Sequence, residues 1–146
     1  MEKKKTVFIQ GEITSAFIAN AIAKHQTKTA IGAHNIFLGQ VREDKVEEQT
    51  VTAIEFSCYE EMAEKKLHDI REETFAKFNL TCMHIYHSLG QVNVGEICFF
   101  VFVSAAHRPE VYEATEFIVN RVKAEVPIFG KEMFETGDHQ WKKNKW

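Results

Sequence analysis

Residues 96–131 read EICFFVFVSAAHRPEVYEATEFIVNRVKAEVPIFGK, and the architecture turns on where this stretch changes its period. Glu96 to Ser104 is a nearly continuous apolar run, the pattern of a strand buried on both faces. From Pro109 to Glu125 the apolar residues recur at helical spacing, with Val111, Ala114, Ile118 and Val122 as a packing stripe. Proline is favoured at the first helical position, and Pro127 biases Val126 away from helical geometry and ends the helix. A buried strand is therefore predicted to deliver the chain to a helix start, with His107 and Arg108 at the junction. Lys123 falls in the last helical turn and Lys131 just past the proline. Cationic groups near both helix ends imply an anionic ligand.

Working outward, Thr6–Gln10 is predicted as a short strand, and Ile13–His25 as a helix with Ile13, Phe17, Ala21 and Ile22 on one face, capped by Thr14 or Ser15. Thr29–Val41 reads as a strand, and the highly charged Arg42–Thr50 as a mobile loop. Val51–Cys58 alternates as a strand should. Glu60–Phe78 carries the clearest helical stripe: Ala63, Leu67, Ile70, Thr74 and Phe78. Leu80–Leu89 is a further strand, with Gly90 and Gly95 bracketing a turn. The tail from Lys131 mixes charge with Phe134, Trp141 and Trp146. Hairpins among alternating strands and helices point to an α+β sheet, mainly antiparallel with flanking helices.

At 146 residues the chain suits a single domain spanning 1–146. A composition 45% hydrophobic and 27% charged is that of an ordinary globular protein. A net charge of −3 argues against a general nucleic-acid binder, so an anion site must be built locally. No apolar run approaches the roughly 18 residues of a membrane span, and the basic N-terminus does not read as a signal peptide. A cytoplasmic protein is expected, and no contribution from a tail much beyond Trp141. Cys58, Cys82 and Cys98 form no C-x-x-C pair and read as buried reduced thiols.

The His107-Arg108-Pro109 junction has a physical reason to bind an anion: unpaired N–H groups and the helix dipole favour negative charge there. Arginine adds a planar fork suited to phosphate or carboxylate. The bland alternative is a solvated surface loop. Lys123 lies off the core stripe, and the Lys-x-x-x-Pro spacing followed by Phe129 is expected to fold the post-helix segment back over the helix end. A partly desolvated lysine there has a lowered pKa and can serve in acyl or sulfur transfer. His84 and His87, three apart in a strand, point to opposite faces, and His139 stands alone; no metal site is expected. No zinc-protease, Walker, dinucleotide or nucleophile-elbow motif occurs.

The segments GAHNIFLGQVRED, CYEEMAEKKL, HSLGQVNVGE, VSAAHRPEVYEATEFIV and VKAEVPIFGKE, in this order and spacing, resemble the large, catalytic subunit of molybdopterin synthase over about Thr29–Trp141. The resemblance implies an α/β hammerhead fold and a central homodimer within a heterotetramer. It also implies a small ubiquitin-like sulfur-carrier subunit whose Gly-Gly C-terminus, as a thiocarboxylate, enters the site. Sulfur would pass to cyclic pyranopterin monophosphate to build the dithiolene of molybdopterin, with no metal or cofactor required by this subunit. By motif, Gln40, Val41 and Arg42 match the G-x-V-R segment, and with His107 and Arg108 are expected to bind the anionic substrate. Lys123 matches the lysine near the thiocarboxylate. Family members carry a second catalytic lysine where this chain has Gly130. The resemblance thus directs attention to Gly130, Lys131 and Glu132, with Lys131 expected to take the vacated role through the backbone freedom of glycine. The rival expectation is a non-catalytic α+β homodimer that binds a phosphorylated ligand or a protein C-terminal tail.

Overall fold

The computed structural model describes residues 7–142; Thr6 of the predicted first strand and Trp146 of the tail lie outside the described residues. In chain order the elements are β1 (Phe8–Gln10), α1 (Ser15–His25), β2 (Ala33–Gln40), β3 (Lys45–Val46), β4 (Gln49–Cys58), α2 (Glu60–Lys77), β5 (Cys82–Asn93), β6 (Ile97–Ala105), α3 (Arg108–Glu125), β7 (Ile128–Phe134) and β8 (His139–Trp141). The fold is α+β, its sheet ordered β2-β6-β5-β4-β7-β8, with β1 added alongside β5 and β3 alongside β4. Every pairing is antiparallel except β1 with β5.

β6 is buried on both faces, as its composition predicts. Phe99, Val101 and Val103 join Met83 and Ile85 of β5 beneath the stripes of α2 and α3. Phe100 and Phe102 point the other way, into a smaller core covered by Phe17, Ile18 and Ile22 of α1. The α2 stripe is buried at Ala63, Leu67, Ile70 and Thr74, and the α3 stripe at Val111, Ala114, Ile118 and Val122. Thr14 caps α1 by accepting a hydrogen bond from the Phe17 N–H at 3.1 Å. β5 runs across both halves of the sheet: Cys82–His87 pair with β6, and Gly90–Asn93 with β4. The turn between these partners is taken at Gly90, whose φ of 82° a side chain would resist. Beyond it a third cluster gathers Val41, Val51, Ile54, Val92 and Phe134.

Three stretches differ from expectation. The Arg42–Thr50 segment holds a short hairpin, because Lys45 and Val46 pair with Thr50 and Gln49. The turn between them is Glu47-Glu48, both with positive φ, the geometry a two-residue hairpin demands even from residues that do not favour it. The segment after Pro127 does not fold back over the helix end. It is β7, paired with β4 from Ile128 to Phe134, and Phe129 packs its ring against Tyr59, 5.5 Å between centroids. The tail adds β8 to the same half-sheet.

Candidate active site

Lys123 stands at the junction of two adjoining clefts. The larger, about 800 Å³, has Gly39, Gln40, Arg42, Glu132 and Lys142 among its walls. The smaller, about 330 Å³, runs along Pro127, Phe129 and Gly130, with Trp141 and Lys142 also in its lining. The backbone explains why these residues meet. A bulge at Gly39/Gln40 turns the end of β2, and a Cβ on Gly39 would lie 3.0 Å from that of Phe99, so glycine lets β2 press close to β6. The Lys123 Nζ then lies over the Phe99 ring, 5.7 Å from its centroid, a cation–π contact.

The local electrostatics follow from that placement. Burial lowers the Lys123 pKa; the Cys98 thiol opposes the fall, and the Lys142 and Arg42 charges add to it. Burial raises the Cys98 pKa, against the pull of Lys123 and Lys142, and its thiol is 3.5 Å from the Gly39 carbonyl. Arg42 forms a two-pronged pair with Asp44 at 2.9 and 3.2 Å, exposed at the mouth of the larger cleft. Glu132 is buried and accepts from the Gln140 amide at 3.1 Å. Gln40 is exposed on the cleft wall. Val41 instead puts its side chain in the core, while its N–H donates to Glu96 and its carbonyl accepts from Gly95.

Behind Lys123 lies His87, buried against Phe56 and Phe99. Its Nδ1 donates to the Ser88 carbonyl at 2.8 Å, since a carbonyl oxygen can only accept. Burial pushes its pKa from 6.5 down to about 4; the Ser88 hydrogen bond opposes this and the Lys123 charge reinforces it. Below pH 6.5 the unfolded chain takes up a proton here that the folded chain refuses until about pH 4. Stability is therefore intact above that window and is lost as pH falls through it, by roughly 3 kcal/mol. Denaturant titrations on either side of the window check this. His87→Gln should flatten the acid-side loss by about that amount.

The remaining expected site residues are not all gathered here. His107 is the N-cap of α3 and Arg108 its first residue, both exposed. Lys123 is in the last turn of the same helix, so at 1.5 Å per residue the two ends lie roughly 22 Å apart. Gly130 lines the smaller cleft, but it is held in a regular ladder opposite Phe56, not in the free conformation its residue type allows. A Cβ there would come within 3.1 Å of Ile54 and 3.4 Å of Phe56. Lys131 is not among the lining residues of either cleft; its Nζ lies 6.0 Å from the centre of the Trp141 ring. The cation beside Gly130 is Lys142, whose N–H donates to the Gly130 carbonyl at 2.7 Å and which lines both clefts. Lys142, Cys98 and His87 escaped the sequence reading. Lys142 sits in a charged tail with no periodicity, and the other two read as ordinary strand residues.

The chain is similar to known proteins in sequence and in fold. The family model for MoaE protein matches residues 13–125. The chain is 34% identical to the molybdopterin synthase catalytic subunit of Emericella nidulans over 122 residues, 84% of this chain and 62% of the relative. It thus spans about three-fifths of that fungal protein's length. The crystal structure of molybdopterin synthase from Staphylococcus aureus superposes with a TM-score of 0.81 at 28% identity, covering 98% of this chain and all of that one. A complex of subunits 1 and 2 of molybdopterin-converting factor from Helicobacter pylori shares the fold, with a TM-score of 0.79 at 20% identity, over 94% of this chain and 90% of that one. A match running from the lead-in of α1 to the last residue of α3, on a fold that overlays nearly end to end, makes this chain a member of the MoaE protein family.

Proposed function

We propose that this chain is the catalytic, larger subunit of a molybdopterin synthase. In this reading it transfers sulfur from the C-terminal thiocarboxylate of a small ubiquitin-like carrier to cyclic pyranopterin monophosphate. The observation that carries the reading is that Lys123 lines both clefts. The narrow groove along Pro127, Phe129 and Gly130 suits an extended Gly-Gly tail, whose residues bring no side chains to accommodate. The broader cleft, with Arg42 at its mouth, suits an anionic pterin. The tail's reactive end and the substrate carbon would then meet at the Lys123 ammonium.

The chemistry requires a cation at that point. Sulfur that moves from the carrier carbonyl to the substrate must be replaced on the carbonyl by oxygen from water. An oxyanion develops at the carbonyl as this happens, and a preplaced ammonium in a partly desolvated site stabilises it. The exposed rings of Phe129 and Trp141 line the narrow groove, with exposed Tyr59 packed against Phe129, and they give the carrier an apolar docking rim. The test mixes the purified chain with a thiocarboxylated carrier and cyclic pyranopterin monophosphate; absence of dithiolene product with a competent carrier overturns the proposal.

Two refinements follow from the distances. The phosphate-binding role of His107 and Arg108 can coexist with Lys123 in one pocket only if the helix start comes from a second copy, given the roughly 22 Å between the helix ends. We therefore place the homodimer so that each pocket is shared. The second ammonium, expected from Lys131, is assigned to Lys142, the residue bonded to Gly130 and facing both clefts. Lys142→Ala should lower turnover by about tenfold or more, with Lys131→Ala changing it by less than about threefold. The reverse pattern in a steady-state assay would return the role to Lys131.

A further inference from the structure

On the sheet face opposite Lys123, three side chains with metal-binding atoms converge. His25 is the last residue of α1; Cys82 opens β5, and His84, two residues on, shares its face. The His25 and His84 Nε2 atoms are 2.8 Å apart, and the ligand atoms of His25, Cys82 and His84 all lie within 4.8 Å of one another. His25 Nδ1 is 2.7 Å from the Ala21 carbonyl oxygen, which can only accept. Nδ1 therefore holds the ring proton and Nε2 turns its lone pair into the cluster. A backbone carbonyl fixing the distal nitrogen in this way is the usual support of a metal-bound imidazole. His25 is further held by the Phe102 ring, 4.8 Å between centroids, and His25 and Cys82 are both buried. On the open side the exposed Lys28 sets its Nζ 2.9 Å from the Cys82 sulfur.

We propose that His25, Cys82 and His84 bind a single zinc-class cation, with water in the fourth position. Two imidazoles and a thiolate are a borderline-soft donor set that suits Zn²⁺ and is foreign to Mg²⁺ or Ca²⁺. With Zn–N bonds of about 2.1 Å and tetrahedral angles, the two Nε2 atoms must part by roughly 0.6 Å. Lys28 must also swing aside, a small demand on an exposed flexible side chain. Protons balance simply. In the ion-free state His84 donates its Nε2 proton to His25; on binding it adopts the Nδ1-protonated tautomer by exchange with solvent. The Cys82 thiol releases its proton to solvent. The ion would tie the end of α1 to the start of β5, segments 59 residues apart from His25 to His84. This inference is independent of the sulfur-transfer reading.

The test uses the full chain, stripped with a chelator and kept in a non-coordinating phosphine reductant. Zn²⁺ is titrated in competition with a chromophoric chelator, and Co²⁺ is added separately to report thiolate ligation by its charge-transfer band. The expected result is uptake of one ion per chain with that band present. Cys82→Ala should abolish the band, and Cys82→Ala or His84→Gln should weaken Zn²⁺ binding by at least about 100-fold, while Cys58→Ser leaves both unchanged. Failure of the wild-type chain to take up one equivalent overturns the proposal without reference to any variant. A cobalt–thiolate band that survives in Cys82→Ala overturns it as well.

Discussion

Lys123→Ala lowers the rate of sulfur transfer by about 100- to 1,000-fold, the cost of removing one preplaced charge from a developing oxyanion. Alanine is the best helix former, and Lys123 lies off the buried stripe of α3, so the chain should stay folded and thermal unfolding should show it. The loss should appear in single-turnover rates with a thiocarboxylated carrier already bound, because the missing interaction is strongest in the transition state. Lys123→Arg is the informative companion: it keeps the charge but spreads it over a planar fork in a space walled by Phe99. Partial activity in the arginine variant with none in alanine would assign the effect to charge. Activity within about threefold of wild type in Lys123→Ala would remove the residue from the chemistry.

The second large effect is a rescue. Arg108→Ala should weaken substrate binding by roughly 1.5–3 kcal/mol through loss of a contact to the phosphate, and at low substrate it and Lys123→Ala are each strongly impaired. If each pocket takes its helix start from one copy and its lysine from the other, mixing the two variants restores function. Half of randomly formed dimers are mixed, and each mixed dimer has one intact pocket of two, so about a quarter of wild-type activity returns. If both residues served one pocket within one chain, no mixture could hold an intact site and no activity would return. Co-refolding in equal amounts, followed by assay well below substrate saturation, separates the outcomes.

Much of the framework was legible in the residues. The apolar run of β6 and the stripes of α2 and α3 are properties of period and hydrophobicity, and burial follows them directly. Lys123 was legible because a motif and a helix end coincide there. The Glu47-Glu48 turn was not, since a hairpin partner across the chain imposed positive φ on residues that carry no turn signal. Lys142 was equally silent. Its place beside Gly130 depends on β8 pairing with β7, a contact no local pattern announces. The His25–Cys82–His84 cluster joins a helix end to a strand start, and neither segment alone has the spacing of a metal motif.

The sequence by itself determined the α+β class and, among the described residues, the helices and their buried faces, because period and residue chemistry act locally. Only the tertiary structure decided which cations share a pocket. It separated His107 and Arg108 from Lys123 by the length of a rigid helix, set the Lys131 ammonium over the Trp141 ring, and brought Lys142 to Gly130 by pairing β8 with β7. The physical reason is that a motif records which groups are present, whereas helix rise, strand alternation and pairing register set where those groups point.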